Sequence, residues 1–300
     1  MSHNLYRELV APLNMVKGYL IISQDGAFLP FEALSLSASE PQYLLHEQAI
    51  SYTYSAQFLL KNNRAVSDFW PQKSFLGVAP VQFFQKLNTL TGSAESIERI
   101  GSSYWWKNEL LHQKATKSAF LNQASGHRIV QVYTHAFADS TQTEPHIYFA
   151  DSALKVSDLG NISFKTDLLV LSACKTGMGK VAKGEGVLSL ARGFSMAGIP
   201  SAITALWSVE DQATYTLTEL FYTFLKEGLS KDEALQKAKR QYIDTYPTAA
   251  PAAWAGLVLI GDAGALPSVG LGWWGLSGLA VLAFLGGVWK KRKALLKSNS

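Results

Sequence analysis

The chain holds a single cysteine among 300 residues. That excludes an internal disulfide and any zinc site built on several thiolates. Charge is sparse too, at 17% of residues against 48% hydrophobic, a balance that excludes disorder over most of the length. The body also lacks an excess of one sign. The net charge is +4, but residues 290–300 (KKRKALLKSNS) contribute +5 of it, so residues 1–289 sum to −1. A near-neutral body offers no footprint for a phosphate backbone, and nucleic acid is not an expected partner. Histidines are few. His3, His46, His112, His127 and His146 form neither HExxH nor another paired spacing, so no metal site and no cofactor is expected.

One long stretch carries no charge at all. Between Asp262 and Lys290 every residue is uncharged, and Val269 to Trp289 reads VGLGWWGLSGLAVLAFLGGVW. As a helix these 21 residues would reach about 31 Å, the thickness of a hydrocarbon core. Trp273, Trp274 and Trp289 sit near its ends, where indoles favour the interface. The expectation is a single-pass transmembrane helix over 269–289, entered through a short hinge at 263–268 and followed by a basic tail at 290–300. The lipid bilayer is then a partner and a membrane the location. The tail's cations favour a cytoplasmic C-terminus. Against that, MSHNLYRELVAPL has no basic region followed by an apolar run, so the side occupied by residues 1–262 stays open.

Within residues 1–262, strand-length apolar runs alternate with helix-period stretches. Strands are expected at GYLIIS (18–23), AISYT (49–53), SFLGVA (74–79), RIVQVYT (128–134), DLLVLSA (167–173), SAITALW (201–207) and WAGLVLIG (254–261). The turn at Gln24-Asp25-Gly26 followed by AFLPFEAL reads as a hairpin running into a helix start. Helices are expected at 55–60, 93–100 (with Ser93 and Ser96 as caps), 116–123, 185–197, 211–226 and 231–245. Such alternation specifies an α/β layer fold with a mostly parallel sheet.

Open α/β sheets collect their functional groups at the carboxyl ends of strands. His135 follows RIVQVYT, and Cys174 follows DLLVLSA 39 residues later. If those strands are parallel neighbours, both side chains emerge at one edge as a Cys–His dyad, the imidazole raising the thiolate fraction. The alternative is an inert buried thiol and a histidine that merely caps a strand. The loop KTGMGKVAKGEG (175–186) has four glycines but fails the Walker pattern, since Val181 follows Gly179-Lys180 where Ser or Thr is needed. A flexible loop beside a nucleophile fits it better.

The segment LSACKTGMGKVAKGEGVLSLARGFSMAGIPSAITALWSVEDQAT (171–214) resembles the signature of the CHAT family of caspase-like cysteine peptidases. The likeness continues through LFYTFLKEGLSKDEALQKAK (220–239) and WAGLVLIGD (254–262), and upstream in DGAFLPFEAL (25–34) and ISYTYSAQFLL (50–60). It implies a three-layer caspase-like fold, with Cys174 as nucleophile and His135 as its partner. It also implies an oxyanion hole from the backbone N–H groups of Cys174 and Ala136, where the family's usual glycine is replaced by alanine. Asp211 matches the family's acidic position and either lines an S1 pocket for a basic P1 residue or caps the following helix. Protein substrates are the implied partners. Helical repeats, common ahead of this domain in relatives, are implied as a regulatory region or subunit. A membrane-anchored endopeptidase is therefore expected; the competing readings are a catalytically silent, membrane-tethered interaction scaffold, and a peptidase that cleaves only itself.

Overall fold

The computed structural model describes residues 1–24, 28–62, 73–137, 144–172, 181–182, 186–187, 190–207 and 209–266. Residues Met1–Leu266 form one compact unit. Thirteen strands are described: β1 (Gly18–Ser23), β2 (Gln48–Thr53), β3 (Lys73–Ala79), β4 (Lys107–Leu111), β5 (His127–Tyr133), β6 (Ala136–Phe137), β7 (His146–Tyr148), β8 (Ala153–Lys155), β9 (Leu168–Ser172), β10 (Val181–Ala182), β11 (Gly186–Val187), β12 (Ser201–Ala205) and β13 (Leu257–Gly261). The helices are α1 (Ser2–Leu9), α2 (Ala56–Asn62), α3 (Ser93–Gly101), α4 (Lys117–Ala124), α5 (Leu190–Met196), α6 (Asp211–Lys226), α7 (Lys231–Thr245) and α8 (Pro251–Trp254).

Eight strands make one sheet in the order β1-β2-β13-β12-β9-β5-β3-β4. Every pairing is parallel except β12 with β13. The continuous apolar runs of the central strands are explained by burial on both faces. Along β9, Leu168 and Val170 enter one core while Leu169 and Leu171 enter the other; along β5, Ile129 and Tyr133 face the first core and Val130 and Val132 the second. Side chains of α3, α6 and α7 complete the first core, and those of α4 and α5 the second. This is the three-layer α/β architecture the sequence predicts. On the first face α3 lies close enough to β3 that a Cβ at Gly77 would overlap the Ile97 side chain.

Three expectations are corrected. The segment after β1 does not form a hairpin with it among the described residues, since β1 pairs in parallel with β2. Residues 28–30 carry no strand, and Phe31–Ala33 is a single 3-10 turn. Pro30 has no N–H to give a ladder, and Phe28, Leu29 and Phe31 instead pack on the core under β2. Ser93 and Ser96 do not cap α3. Gly92, at φ +88°, is its N-cap, and Ser93 Oγ donates back to the Leu90 carbonyl at 2.7 Å. The helix expected from residue 185 begins only at Leu190, because Gly186 and Val187 pair antiparallel with Val181 and Ala182. Edge strand β4, the small antiparallel sheet β6-β7-β8 and helices α1 and α8 went unpredicted, and Trp254, expected in the last strand, closes α8 instead.

The span expected at 269–289 and the tail at 290–300 lie outside the described residues. Among the described residues no helix is long and apolar enough to cross a membrane.

One buried ion pair ties the N-terminal segment to α7. Lys239 Nζ donates to Glu32 Oε1 at 3.0 Å, with both residues almost fully buried. Tyr52 on β2 donates to the other carboxylate oxygen at 2.5 Å, and its own oxygen accepts from the Phe31 N–H at 2.8 Å. Burial lowers the pKa of Lys239, and the Glu32 charge opposes that shift. Burial first, then Glu32, raises the pKa of Tyr52 well above its usual value. Removing one ion of such a pair strands the other in a low dielectric. Lys239→Met is accordingly expected to cost about 3–5 kcal/mol in urea unfolding, and adding Glu32→Leu to recover most of that loss. Additive losses in the double variant would refute the coupling.

Candidate active site

The register of the two central strands builds the site. Ile129 pairs with Leu168 and the ladder continues in parallel to Tyr133 opposite Ser172. Each chain thus reaches the carboxyl edge two residues before a reactive position, His135 on one and Cys174 on the other. Cys174 itself, and loop residues 173–180, lie outside the described residues. A buried polar chain fixes the two strands beneath this edge. Tyr222 of α6 donates to Gln131 Oε1 at 3.1 Å, and Gln131 Nε2 donates to Ser172 Oγ at 3.2 Å. Gln131 is wholly buried in the sheet, and these bonds satisfy its amide there.

Beyond β5 the backbone is pinned from the side. The Thr134 hydroxyl donates to the Tyr148 carbonyl, and the Tyr148 N–H donates to the His135 carbonyl at 3.0 Å. Ala136 then pairs with Ile147 to open the small sheet. Ala136 is not among the non-glycine residues of positive φ, so the conformation here does not demand the glycine usual at this place.

His135 is half-buried, and the segment after β3 touches its ring. His135 Nε2 lies 2.7 Å from the Asn88 carbonyl oxygen. A carbonyl only accepts, so Nε2 carries the proton and the basic nitrogen of the neutral ring is Nδ1. The Phe83 ring packs against the imidazole with centroids 4.8 Å apart. Neither residue was a sequence candidate. Asn88 acts through its backbone, which no side-chain pattern reveals, and Phe83 lies in an irregular segment without periodicity.

Next to the histidine, a small cleft is lined by Leu90, Tyr133, Thr134, Trp207, Asp211 and Tyr215, among others. Asp211 is the first residue of α6. The N-cap is Glu210, which makes no side-chain cap bond, so the capping role that Asp211 was offered falls to its neighbour's position. Its carboxyl pKa is raised, chiefly by burial and further by Glu210, while the nearby His135 pulls it down. Asp211 and His135 therefore share one electrostatic neighbourhood at the sheet's carboxyl edge. Among the described residues no group of histidine, cysteine and carboxylate side chains could hold a metal ion.

A sheet of this order, with a histidine at the carboxyl end of one central strand and a cysteine just past its parallel neighbour, defines the caspase-like class of α/β proteins. The profile of the CHAT domain matches residues 1–262, and the chain belongs to that family. Among solved structures it is similar to the complex of Porphyromonas gingivalis RgpB pro- and mature domains, with TM-score 0.58 and 10% identity over 88% of this chain and 69% of that one. It is also similar to the Saccharomyces cerevisiae separase–securin complex, with TM-score 0.55 and 13% identity over 78% of this chain and 15% of that one. At such identities the likeness is one of fold. Among curated proteins it is 32% identical over 109 residues to tetratricopeptide repeat protein 28 of Mus musculus, and 31% identical to that of Homo sapiens. The match covers 36% of this chain and 4% of each relative.

Proposed function

We propose that the chain is a cysteine endopeptidase in which Cys174 and His135 form the catalytic dyad. The observation that carries this reading is the placement of His135: it stands at the carboxyl end of β5, beside the parallel strand that leads into Cys174, with Nε2 committed to a carbonyl. Nδ1 would take the thiol proton as Sγ attacks the scissile carbonyl carbon. The backbone N–H groups of Ala136 and Cys174 would receive the resulting oxyanion. The imidazolium would then protonate the leaving amine, and water would hydrolyse the thioester to a carboxylic acid and restore the thiol.

Asp211 supplies the specificity in this reading. A carboxylate at the edge of an aromatic-walled cleft favours a basic P1 side chain, by charge and by cation–π contact with Trp207 or Tyr215. The scaffold reading drew on Ala136, and an alanine that needs no positive φ no longer favours it. We further propose that residues 269–289 anchor the domain in a bilayer. A helical-repeat region or subunit is proposed as a regulatory partner, on the strength of the tetratricopeptide repeats named in the curated relatives.

The test is incubation of the full chain with a diverse peptide library, read by mass spectrometry, beside Cys174→Ala and His135→Ala. Cleavage by the wild type alone is the expected result; equal cleavage by Cys174→Ala would remove Cys174 from the mechanism. Among the peptides cut, Asp211→Asn is expected to lower kcat/KM for basic P1 residues about a hundredfold, with little effect on others. Because burial raises the Asp211 pKa, its charge should be lost as pH falls through a midpoint above the ordinary carboxylate value of about 3.9. The preference for basic P1 should fade there and be absent at every pH in Asp211→Asn. On fractionation of expressing cells, residues 1–300 are expected in the membrane pellet after alkaline washing and residues 1–266 in the supernatant. Recovery of both in the supernatant would refute the anchor.

A further inference from the structure

The segment between β3 and α3 shows three features that the dyad alone does not explain. Val81 holds φ at +63°, a left-handed conformation that β-branched residues avoid. Its side chain nonetheless packs against the core on the α6 face. Its carbonyl accepts from the Leu90 N–H at 3.0 Å, closing residues 82–89 into a loop with a narrow neck. Both contacts to the His135 ring described above, the Phe83 ring and the Asn88 carbonyl, come from inside this loop.

We propose that residues 81–90 form a preorganised cradle for His135, with Phe83 as the positioning residue that sets the plane of the imidazole. The hydrogen bond at Nε2 holds one edge of the ring, and the Phe83 ring, tilted 55° to the imidazole, bounds how far its plane can turn. The two contacts come from one loop and together favour one direction for Nδ1. Outlying backbone conformations persist where the surroundings over-determine them, and such sites collect around functional groups. Here Val81 is over-determined by its core packing and by the bond to Leu90, and what it sets is the entry angle of the loop that grips the histidine. Leu90, at the other side of the neck, also lines the Asp211 cleft, so the cradle borders the specificity site as well.

The rate part of the test rests on the peptidase reading, and a spectroscopic part does not. Phe83 is half-buried rather than core, so Phe83→Ala should fold. In that variant kcat is expected to fall about ten- to a hundredfold, as misplacement of a catalytic group does, while KM stays within about twofold. Phe83→Tyr, which keeps the ring, should restore kcat. In parallel, the full chain carrying isotope-labelled histidine is examined by NMR, with His135 assigned from His135→Gln. Wild type and Phe83→Tyr should show the neutral Nε2–H tautomer held by the Asn88 carbonyl, and Phe83→Ala a mixture of both tautomers, because a ring free to turn leaves that carbonyl part of the time. A Phe83→Ala protein with unchanged kcat and a single tautomer would overturn the cradle. If the wild type cleaves nothing, the peptidase reading fails by itself and the tautomer decides this proposal.

Discussion

The parallel pairing of β5 with β9 is the constraint from which the rest of the molecule follows. A parallel ladder with a fixed register delivers two chain segments to the same edge at the same height. Here the register ends with Tyr133 opposite Ser172, two positions in sequence before His135 on one strand and Cys174 on the other. Parallel strands need long crossovers, and covering both faces with helices makes the central strands apolar throughout. The amphipathic helices and the buried clusters on both faces of the sheet follow from that arrangement.

The polar groups inside the fold obey the same geometry. Gln131 faces no solvent, yet its amide both accepts from Tyr222 on α6 and donates to Ser172 on β9. It thereby fixes helix and strands to one another directly under the site. On the far side of the sheet's middle, Lys239 and Glu32 play the corresponding role for the N-terminal segment, with Tyr52 completing the carboxylate's bonds. In each case the cost of burying a polar group is offset only if its bonds are complete. The sequence segments that supply those bonds are therefore held at one distance from each other.

Much of this was legible in the residues and some could not be. The runs GYLIIS, DLLVLSA and RIVQVYT gave strands within a residue or two, and the periodicity of 211–226 and 231–245 gave α6 and α7 at their observed limits. Hydrophobic period is a strong signal where an element is covered by the core. It was weak for β4, whose KNELL is half-exposed at the sheet edge, and for the two- and three-residue strands of the small sheet. Residues 185–187 read as helix because the apolar spacing beyond them is helical, and antiparallel pairing claimed Gly186 and Val187 first. At the site, His135 was visible as a side chain at a strand end, and Asp211 only through the family resemblance. The grip on the histidine was not, since half of it is a main-chain carbonyl and the other half a phenylalanine in a segment without pattern.

That last distinction bears on how such a site tolerates change. A carbonyl acceptor is supplied by the fold of the loop and is independent of the side chain at 88, so the tautomer of His135 is insulated from most substitutions at that residue. The same logic applies to Ala136. Its N–H is available whatever its side chain, and because its φ is not positive the backbone there places no demand for glycine. What the backbone does not supply here is the aromatic surface beside the ring, which is the Phe83 side chain. Control of the histidine's orientation is therefore divided between a part encoded in chain geometry, through Val81 and Leu90, and a part encoded in one residue identity, Phe83. The first tolerates sequence drift so long as the neck stays closed, and the second does not, which locates the vulnerable point of the site in a residue that itself carries no reactive group.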